Sequence, residues 1–345
     1  MVWLPALRWA LTALVLAGLS LVDQHKLVYE ALAEPLAEAM QKSHVWSLPW
    51  LTVAAGAYLV GVAFSAWYWH IVLRALGQRP RLWTLVRAYY IGHLGKYVPG
   101  KALVVVIRAA LVRSEAVQVT PAVVAVFYET LTCMASGALL GLLVLLWLDS
   151  WPPVGGWVAV LVLAVLFPVI PGVFNAAVRW LTRPFAGPDC DSWARLHYGH
   201  LLVGLLLCAV SWVLWGGSAW AVLRGCSEQQ LPIPAEWTLL CRCVAAVSLA
   251  TVAGFVIPTP AGLGTREWVL MELLAPTVGQ ASAALTAVLV RVTWIVAEIL
   301  VAGVLWLWPA KSHAAPPVPA GCGERAPAES QSAALSSMPS QESEP

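Results

Sequence analysis

The 345-residue chain is 60% hydrophobic and only 11% charged, and its 20 basic and 18 acidic residues leave a formal net charge of +2. Soluble domains carry about 25% charged residues, so this composition argues against a soluble enzyme and against a disordered chain. The near balance of charge does not indicate nucleic-acid binding, and we expect none. Several apolar stretches approach the roughly 20 residues of a transmembrane helix, which predicts an all-α polytopic membrane protein.

Six apolar runs are long enough to be full membrane spans. They lie at about 3–22, 48–72, 121–147, 157–178, 199–222 and 281–308. The first run contains Arg8 and has no evident cleavage site, so we interpret it as a retained span rather than a signal peptide. Pro168 and Pro171 are expected to interrupt the fourth span, because proline cannot continue a helix.

The distribution of charge predicts the orientation, because Lys and Arg concentrate in cytoplasmic loops. Arginines 74, 79, 81 and 87 follow the second span without an acidic residue, whereas 23–47 carries four acidic residues. This pattern predicts a cytoplasmic N-terminus. We divide the chain into a membrane domain, 1–308, and a cytoplasmic tail, 309–345. The tail is rich in Ala, Pro and Ser, so we expect it to be disordered.

Two further segments, 88–107 and 238–278, are long enough to span but are broken by Pro and Gly. If the first crossed completely, Arg108 and Arg113 would lie outside, against the charge rule. A re-entrant hairpin removes this conflict. Two such hairpins entering from opposite faces would form an inverted repeat, a pattern that points to a transporter-type binding site. Ordinary kinked spans are the alternative.

The break in the first segment is the first candidate site. Glycines let backbone approach a ligand, a broken helix exposes N–H groups that bind anions, and lysines add positive charge. This pattern suits a phosphate head group. The residues are Gly95, Lys96, Tyr97, Pro99, Gly100 and Lys101, followed by Arg108. The alternative is a cytoplasmic turn whose lysines touch anionic lipid.

The break in the second segment is the second candidate site. Its residues are Pro258, Pro260, Gly262, Gly264, Arg266 and Glu267. The prolines preclude regular helix and the glycines permit positive φ. Arg266 would oppose the dipole of a helix that starts here, which an anionic ligand or a carboxylate partner would explain. The alternative is an ordinary interhelical turn.

Ionisable residues inside the spans form the third candidate group. They are Glu129, Arg242, Glu272, Arg291 and Glu298. A charge near the membrane centre costs a few kcal/mol, so such groups are usually paired and face the bundle interior. Arg291 and Glu298 share one helix face and could pair with groups on other helices, such as Glu129. They would either fix helix packing or line a substrate path.

Familiar catalytic motifs are not evident. The sequence shows no H-E-x-x-H, P-loop or dinucleotide fingerprint, and the seven cysteines lie mostly in apolar segments. We therefore expect no catalytic residues, no metal and no cofactor, and a non-enzymatic function is favoured.

Taken in order, these motifs resemble the membrane domain of the lysylphosphatidylglycerol synthase/flippase family. The stretch G-H-L-G-K-Y-V-P-G-K at 92–101, followed by Arg108, resembles the family's first signature. Further likeness lies in Y-E-T at 128–130, in P-T-P-A-G-L-G-T-R-E at 258–267, and in Arg291 with Glu298. The resemblance covers about 5–308. Ala261 stands where the family usually has glycine, so a glycine-dependent backbone geometry is not expected there.

The resemblance implies a bacterial inner-membrane domain with re-entrant segments. It would move aminoacylated phospholipids between leaflets or take part in the handling of hopanoids, glycolipids or other envelope lipids. By position it implies a lipid path shaped by Lys96, Tyr97, Pro99, Gly100, Lys101, Glu129, Pro260, Gly262, Gly264, Glu267, Arg291 and Glu298. Only 309–345 follow the last span, so we expect a stand-alone membrane domain that does not itself make lysyl-lipid. A biosynthetic enzyme would then be its partner.

Three functions remain open from the sequence. The first is a flippase-like translocase for a polar or anionic lipid or lipid-linked intermediate. The second is an integral membrane transferase in which a buried glutamate acts as base. The third is a non-catalytic accessory protein in envelope-lipid metabolism.

Overall fold

A computed structural model describes residues 47–97, 102–114, 116–148, 155–182, 196–226, 236–256, 262 and 264–308. Helices dominate these ranges, and no β-strand occurs within them. The helices are α1 Leu48–Ala75, α2 Leu82–His93, α3 Ala102–Val112, α4 Val119–Trp147, α5 Gly155–Leu166, α6 Pro171–Thr182, α7 Tyr198–Cys226, α8 Glu236–Val256, α9 Thr265–Val278 and α10 Gln280–Leu307. The predicted all-α class is confirmed. All of these residues belong to one compact unit, Met1–His313, and the expected tail at 309–345 lies outside them.

Five helices are long and apolar enough to cross a membrane, namely α1, α4, α7, α8 and α10. A sixth span is possible if α5 and α6 count as one, because they bend by 66° where Pro168 and Pro171 break the helix. The predicted interruption of the fourth span is therefore confirmed. The first predicted span, 3–22, lies outside the described residues.

Small residues allow the long helices to pack closely, as is common in membrane proteins. The hydroxyls of Ser65 on α1 and Ser211 on α7 lie 3.1 Å apart. Gly137 on α4 faces the indole of Trp212, whose Nε1 donates to the Cys133 carbonyl at 2.8 Å. These contacts join α1, α4 and α7 into the framework that carries the broken segments.

The first broken segment is a helical hairpin, as expected. Helix α2 continues into a 3₁₀ turn at Leu94–Tyr97, and α3 then packs back against α2. The turn depends on glycine, since a Cβ added to Gly95 would lie 2.8 Å from the backbone nitrogen of Val104. The predicted break residues Pro99, Gly100 and Lys101 lie outside the described residues.

The second broken segment has arms of unequal length. Helix α8 has 21 residues and is long enough to span by itself, whereas α9 has 14. Gly262 and Gly264 adopt positive φ values of 72° and 81°, as their residue type permits. Pro258 and Pro260 lie outside the described residues. The two broken segments are thus not copies of one hairpin geometry.

Helix α10 lies where the two broken segments meet. It packs against α9 on one side and against α2 and its 3₁₀ turn on the other, and it also contacts α1 and α7. A polar side chain on its inner face can therefore contact both breaks.

Candidate functional site

Glu298 on α10 is the carboxylate that holds the first break in place. The side chain is 2% exposed. It accepts hydrogen bonds from the hydroxyl of Tyr58, from Nζ of Lys96 at 2.5 Å, and from the hydroxyl of Tyr97 at 2.8 Å. A buried carboxylate is strongly unfavourable unless it is paired and hydrogen-bonded, and these three donors meet that requirement.

A second buried ion pair joins the hairpin to α4. Nη1 of Arg108 on α3 lies 2.9 Å from Oε2 of Glu129, and the Tyr89 hydroxyl donates to Oε1 at 2.8 Å. The guanidinium also stacks on the Tyr89 ring, with Cζ 3.7 Å from the ring centre. Arg108 and Glu129 are each 3% exposed, so neither charge is balanced by water.

His93 connects these two ion pairs. Its Nδ1 lies 3.2 Å from Nη2 of Arg108, and because a guanidinium only donates, Nδ1 is the acceptor and carries no proton. The ring hydrogen is therefore on Nε2, which lies 3.3 Å from the Tyr58 hydroxyl and 3.7 Å from Oε1 of Glu298. A continuous polar chain thus runs from Glu129 to Glu298.

The second break carries a third pair. Nη1 of Arg291 lies 3.4 Å from Oε1 of Glu267, and the other oxygen of Glu267 accepts the backbone N–H of Gly264 at 2.8 Å. Glu267 therefore caps the start of α9, where its negative charge suits the helix dipole. The sequence had suggested Glu129 as a partner for α10; Arg291 instead pairs with Glu267, since Glu129 lies against Arg108.

Arg266 lies beside this pair but points elsewhere. Its guanidinium stacks on Trp294, with Cζ 4.4 Å from the ring centre. Within the described part of the chain, no carboxylate lies within 4 Å of its nitrogens. The sequence offered two explanations for an arginine at this position, an anionic ligand or a carboxylate partner. The described residues do not supply the carboxylate partner.

A cavity of about 420 Å³ lies between the broken segments. Three cationic side chains and one carboxylate contribute to its wall: Lys96, Arg108, Arg266 and Glu129. Aromatic residues form its inner end, where Tyr58 stacks on Trp294 with ring centres 4.2 Å apart and Trp215 lies alongside. The wall thus combines positive charge with a largely apolar surface.

One side of this cavity leads towards the surface of the helix bundle. Ala102 on α3 and Phe127 on α4 line it and are exposed, while Thr251 and Phe255 on α8 are partly buried. The surface of the spans beside this opening is apolar, as expected for helices that face lipid. The described residues therefore leave the cavity open between α3, α4 and α8.

The predicted site residues fall into three groups. Lys96, Arg108, Glu129 and Arg266 line the cavity, while Glu298 binds Lys96 and accepts a hydrogen bond from Tyr97. A second group shapes the two breaks without lining the cavity. Gly95, Gly262 and Gly264 do so through their backbone geometry, and Glu267 and Arg291 through their ion pair. Pro99, Gly100, Lys101, Pro258 and Pro260 lie outside the described residues. Of the other ionisable residues singled out in the spans, neither Arg242 nor Glu272 lines the cavity, and Glu272 is exposed.

Sequence reasoning missed Tyr58, Tyr89, His93, Trp215 and Trp294, all of which line the cavity. Aromatic residues in apolar spans usually serve helix packing or lie at the membrane interface. Their residue type alone therefore did not predict a place in the site. Tyr58 did carry a signal, because it lies well inside a span, where its hydroxyl needs a partner. Among the described residues, no three His, Cys, Asp or Glu side chains are grouped to hold a metal ion.

Comparison with known families assigns the chain to one of them. The family described as "Lysylphosphatidylglycerol synthase TM region" matches residues 7–302, a range that includes every described residue of the cavity wall. No curated protein matched the chain significantly. The chain belongs to this family, and it is accordingly a multi-pass membrane protein of lipid metabolism or transport.

Proposed function

We propose that this protein is a flippase-like translocase that moves a polar or anionic lipid, or a lipid-linked intermediate, between membrane leaflets. One observation carries the proposal: a cavity walled by cations and aromatic rings lies between two broken helical segments and opens sideways, between α3, α4 and α8. A head group needs a polar enclosure to cross the bilayer, whereas its acyl chains do not.

In this mechanism the lipid enters through the lateral opening. Lys96, Arg108 and Arg266 replace the water that hydrates the head group, while the chains remain in the bilayer. Relative movement of the two broken segments around α10 exposes the cavity to one leaflet and then to the other. The proposal includes no ATP site, so transport is passive, ion-coupled or driven by a partner. An envelope-lipid biosynthetic enzyme is the partner we propose.

We place the protein in the bacterial inner membrane, with the N-terminus and the C-terminal tail in the cytoplasm. The first hairpin then enters from the cytoplasmic face, which keeps Arg113 and the loop arginines inside. Labelling of an Arg113→Cys variant with a membrane-impermeant thiol reagent, compared with wild type, tests this orientation. Labelling from outside would show that the hairpin crosses the membrane.

A leaflet assay in proteoliposomes tests translocation directly. Labelled lipids of several head-group classes are reconstituted with wild type, with Glu298→Gln, or with Glu236→Gln as a control. Glu236 pairs with Arg224 at the surface and is largely exposed. We expect wild type and Glu236→Gln to accelerate exchange of one class. Glu298→Gln is expected to lose this acceleration, because its neutral amide removes the charge that pairs with Lys96 and leaves one acceptor oxygen for three donors.

The same experiment separates the alternatives. A change in lipid mass, detected by mass spectrometry of the recovered lipids, would identify a transferase instead. Unchanged leaflet rates and unchanged masses for all classes would contradict the proposal and favour an accessory role.

A further inference from the structure

Resting on the proposed translocase, we infer that the cavity selects a lipid whose head group is a phosphodiester with a single net negative charge, and that Arg266 is its anchoring residue. The proposed function names only a polar or anionic lipid. The arrangement of charge around the cavity narrows this to a monoanion.

The first step is the charge balance of the described site. Four cationic side chains face three carboxylates: Lys96, Arg108, Arg266 and Arg291 against Glu129, Glu267 and Glu298. Among the described side chains, one positive charge is therefore in excess. Uncompensated charge inside a membrane domain is costly, so a ligand that carries one negative charge stabilises this arrangement most.

The second step is where the excess charge lies. Lys96, Arg108 and Arg291 each have a carboxylate within 4 Å. Arg266 has none among the described residues, and electrostatic repulsion links it to both Arg291 and Lys96. Its guanidinium is held against Trp294 and lines the cavity. The N–H groups of Arg266 are therefore the ones available to a ligand in the cavity. The planar guanidinium suits the oxygens of a phosphate.

The third step is the position of the carboxylates. Glu267 and Glu298 belong to the charge balance but do not line the cavity, so they hold the cations from behind. Among the described residues that line the cavity, a head group meets three cations and one carboxylate, Glu129. A cationic aminoacylated head group would be repelled. A phosphomonoester dianion would leave a negative excess, and a zwitterion would leave the positive excess unbalanced.

The fourth step concerns the rest of the ligand. Apolar side chains, including Val104, Val126 and Met134, also line the cavity. Exposed Phe127 lies at that opening. A free phosphate would leave this surface unfilled, whereas an acyl chain covers it and gains hydrophobic stabilisation.

Native mass spectrometry of the purified full chain tests the inference without requiring transport. The protein is offered an equimolar mixture of phosphatidylglycerol, phosphatidylethanolamine, phosphatidic acid and lysyl-phosphatidylglycerol. We expect phosphatidylglycerol to be retained about ten-fold more than each of the others, the scale of one charge-assisted hydrogen bond. Arg266→Gln is expected to abolish the preference, and Arg266→Lys to keep part of it, because the charge remains but the planar guanidinium does not. Arg224→Gln, at the surface pair with Glu236, is expected to behave like wild type.

Several outcomes would overturn the inference. They are equal retention of all classes, preferential retention of the cationic lipid, an unchanged preference in Arg266→Gln, and competition by the acyl-free phosphodiester glycerophosphoglycerol as effective as that by the lipid. Arg266→Lys guards against misfolding, since a folded Arg266→Lys protein without the preference would also contradict it. Preferential retention without leaflet exchange would refute only the translocase, whereas exchange without preference would refute only this inference.

Discussion

The two broken segments use their charges differently. In the first, Lys96 and Arg108 are each held by a carboxylate from a long helix, and His93 joins the two pairs. In the second, the Arg291–Glu267 pair holds the start of α9, while Arg266 faces the cavity. The first segment is therefore an internally balanced framework, and the second presents charge to a ligand.

The two broken segments also differ in their backbone structure. The first hairpin has two short arms that pack tightly against each other through Gly92 and Gly95. The second combines a helix of full spanning length with a short one. Similar Pro-Gly patterns in the two halves thus produce two different structures, because neighbouring charges and arm lengths differ.

Removal of Arg108 is expected to have the largest effect on the framework. Arg108→Met leaves Glu129 buried without a cation, which costs about 3–5 kcal/mol of unfolding free energy. Thermal unfolding in detergent should show a marked loss of stability. The double variant Arg108→Met/Glu129→Met should recover most of it, since no buried charge remains. If the single variant unfolds at the wild-type temperature, the first segment is not a balanced framework.

A methyl group at the hairpin turn is expected to have an intermediate effect. Gly95→Ala places a Cβ 2.8 Å from the Val104 backbone nitrogen, so the two arms must separate, at a cost of about 1–3 kcal/mol. Gly217→Ala in α7 is the matched control, because its Cβ would meet no described atom within 4 Å. Equal thermal stability of the two variants would mean that the tight turn is not required.

Loss of one hydroxyl is expected to have the smallest effect. Tyr97→Phe removes one of three donors to Glu298, and the remaining Tyr58 and Lys96 limit the loss to about 1 kcal/mol. Exposed Tyr198, substituted in the same way, should show no change. The comparison is made by unfolding in denaturant. If Tyr97→Phe lowered the free energy of unfolding as much as Arg108→Met does, the three donors would act as one unit.

Much of the fold followed from hydropathy. The spans expected at 48–72, 121–147, 199–222 and 281–308 correspond to α1, α4, α7 and α10 within a few residues. Helix α8 was expected to be one arm of a re-entrant hairpin, whereas its length and hydropathy are those of a full span. Charged residues were identified because a charge inside an apolar run is conspicuous. Their partners were not, since pairing depends on which helices meet in space, as the Arg108–Glu129 and Arg291–Glu267 pairs show.

The pairing of Lys96 with Glu298 has a consequence for biosynthesis. The two residues are 202 positions apart, so the ribosome completes nine of the described helices before it makes the carboxylate that neutralises this lysine. A nascent chain that ends before α10 would hold the first hairpin with Lys96 uncompensated and Tyr58 and Tyr97 without their acceptor. Insertion of α10 is therefore needed before these partners can meet, and chains truncated before it should be preferred substrates of membrane proteases.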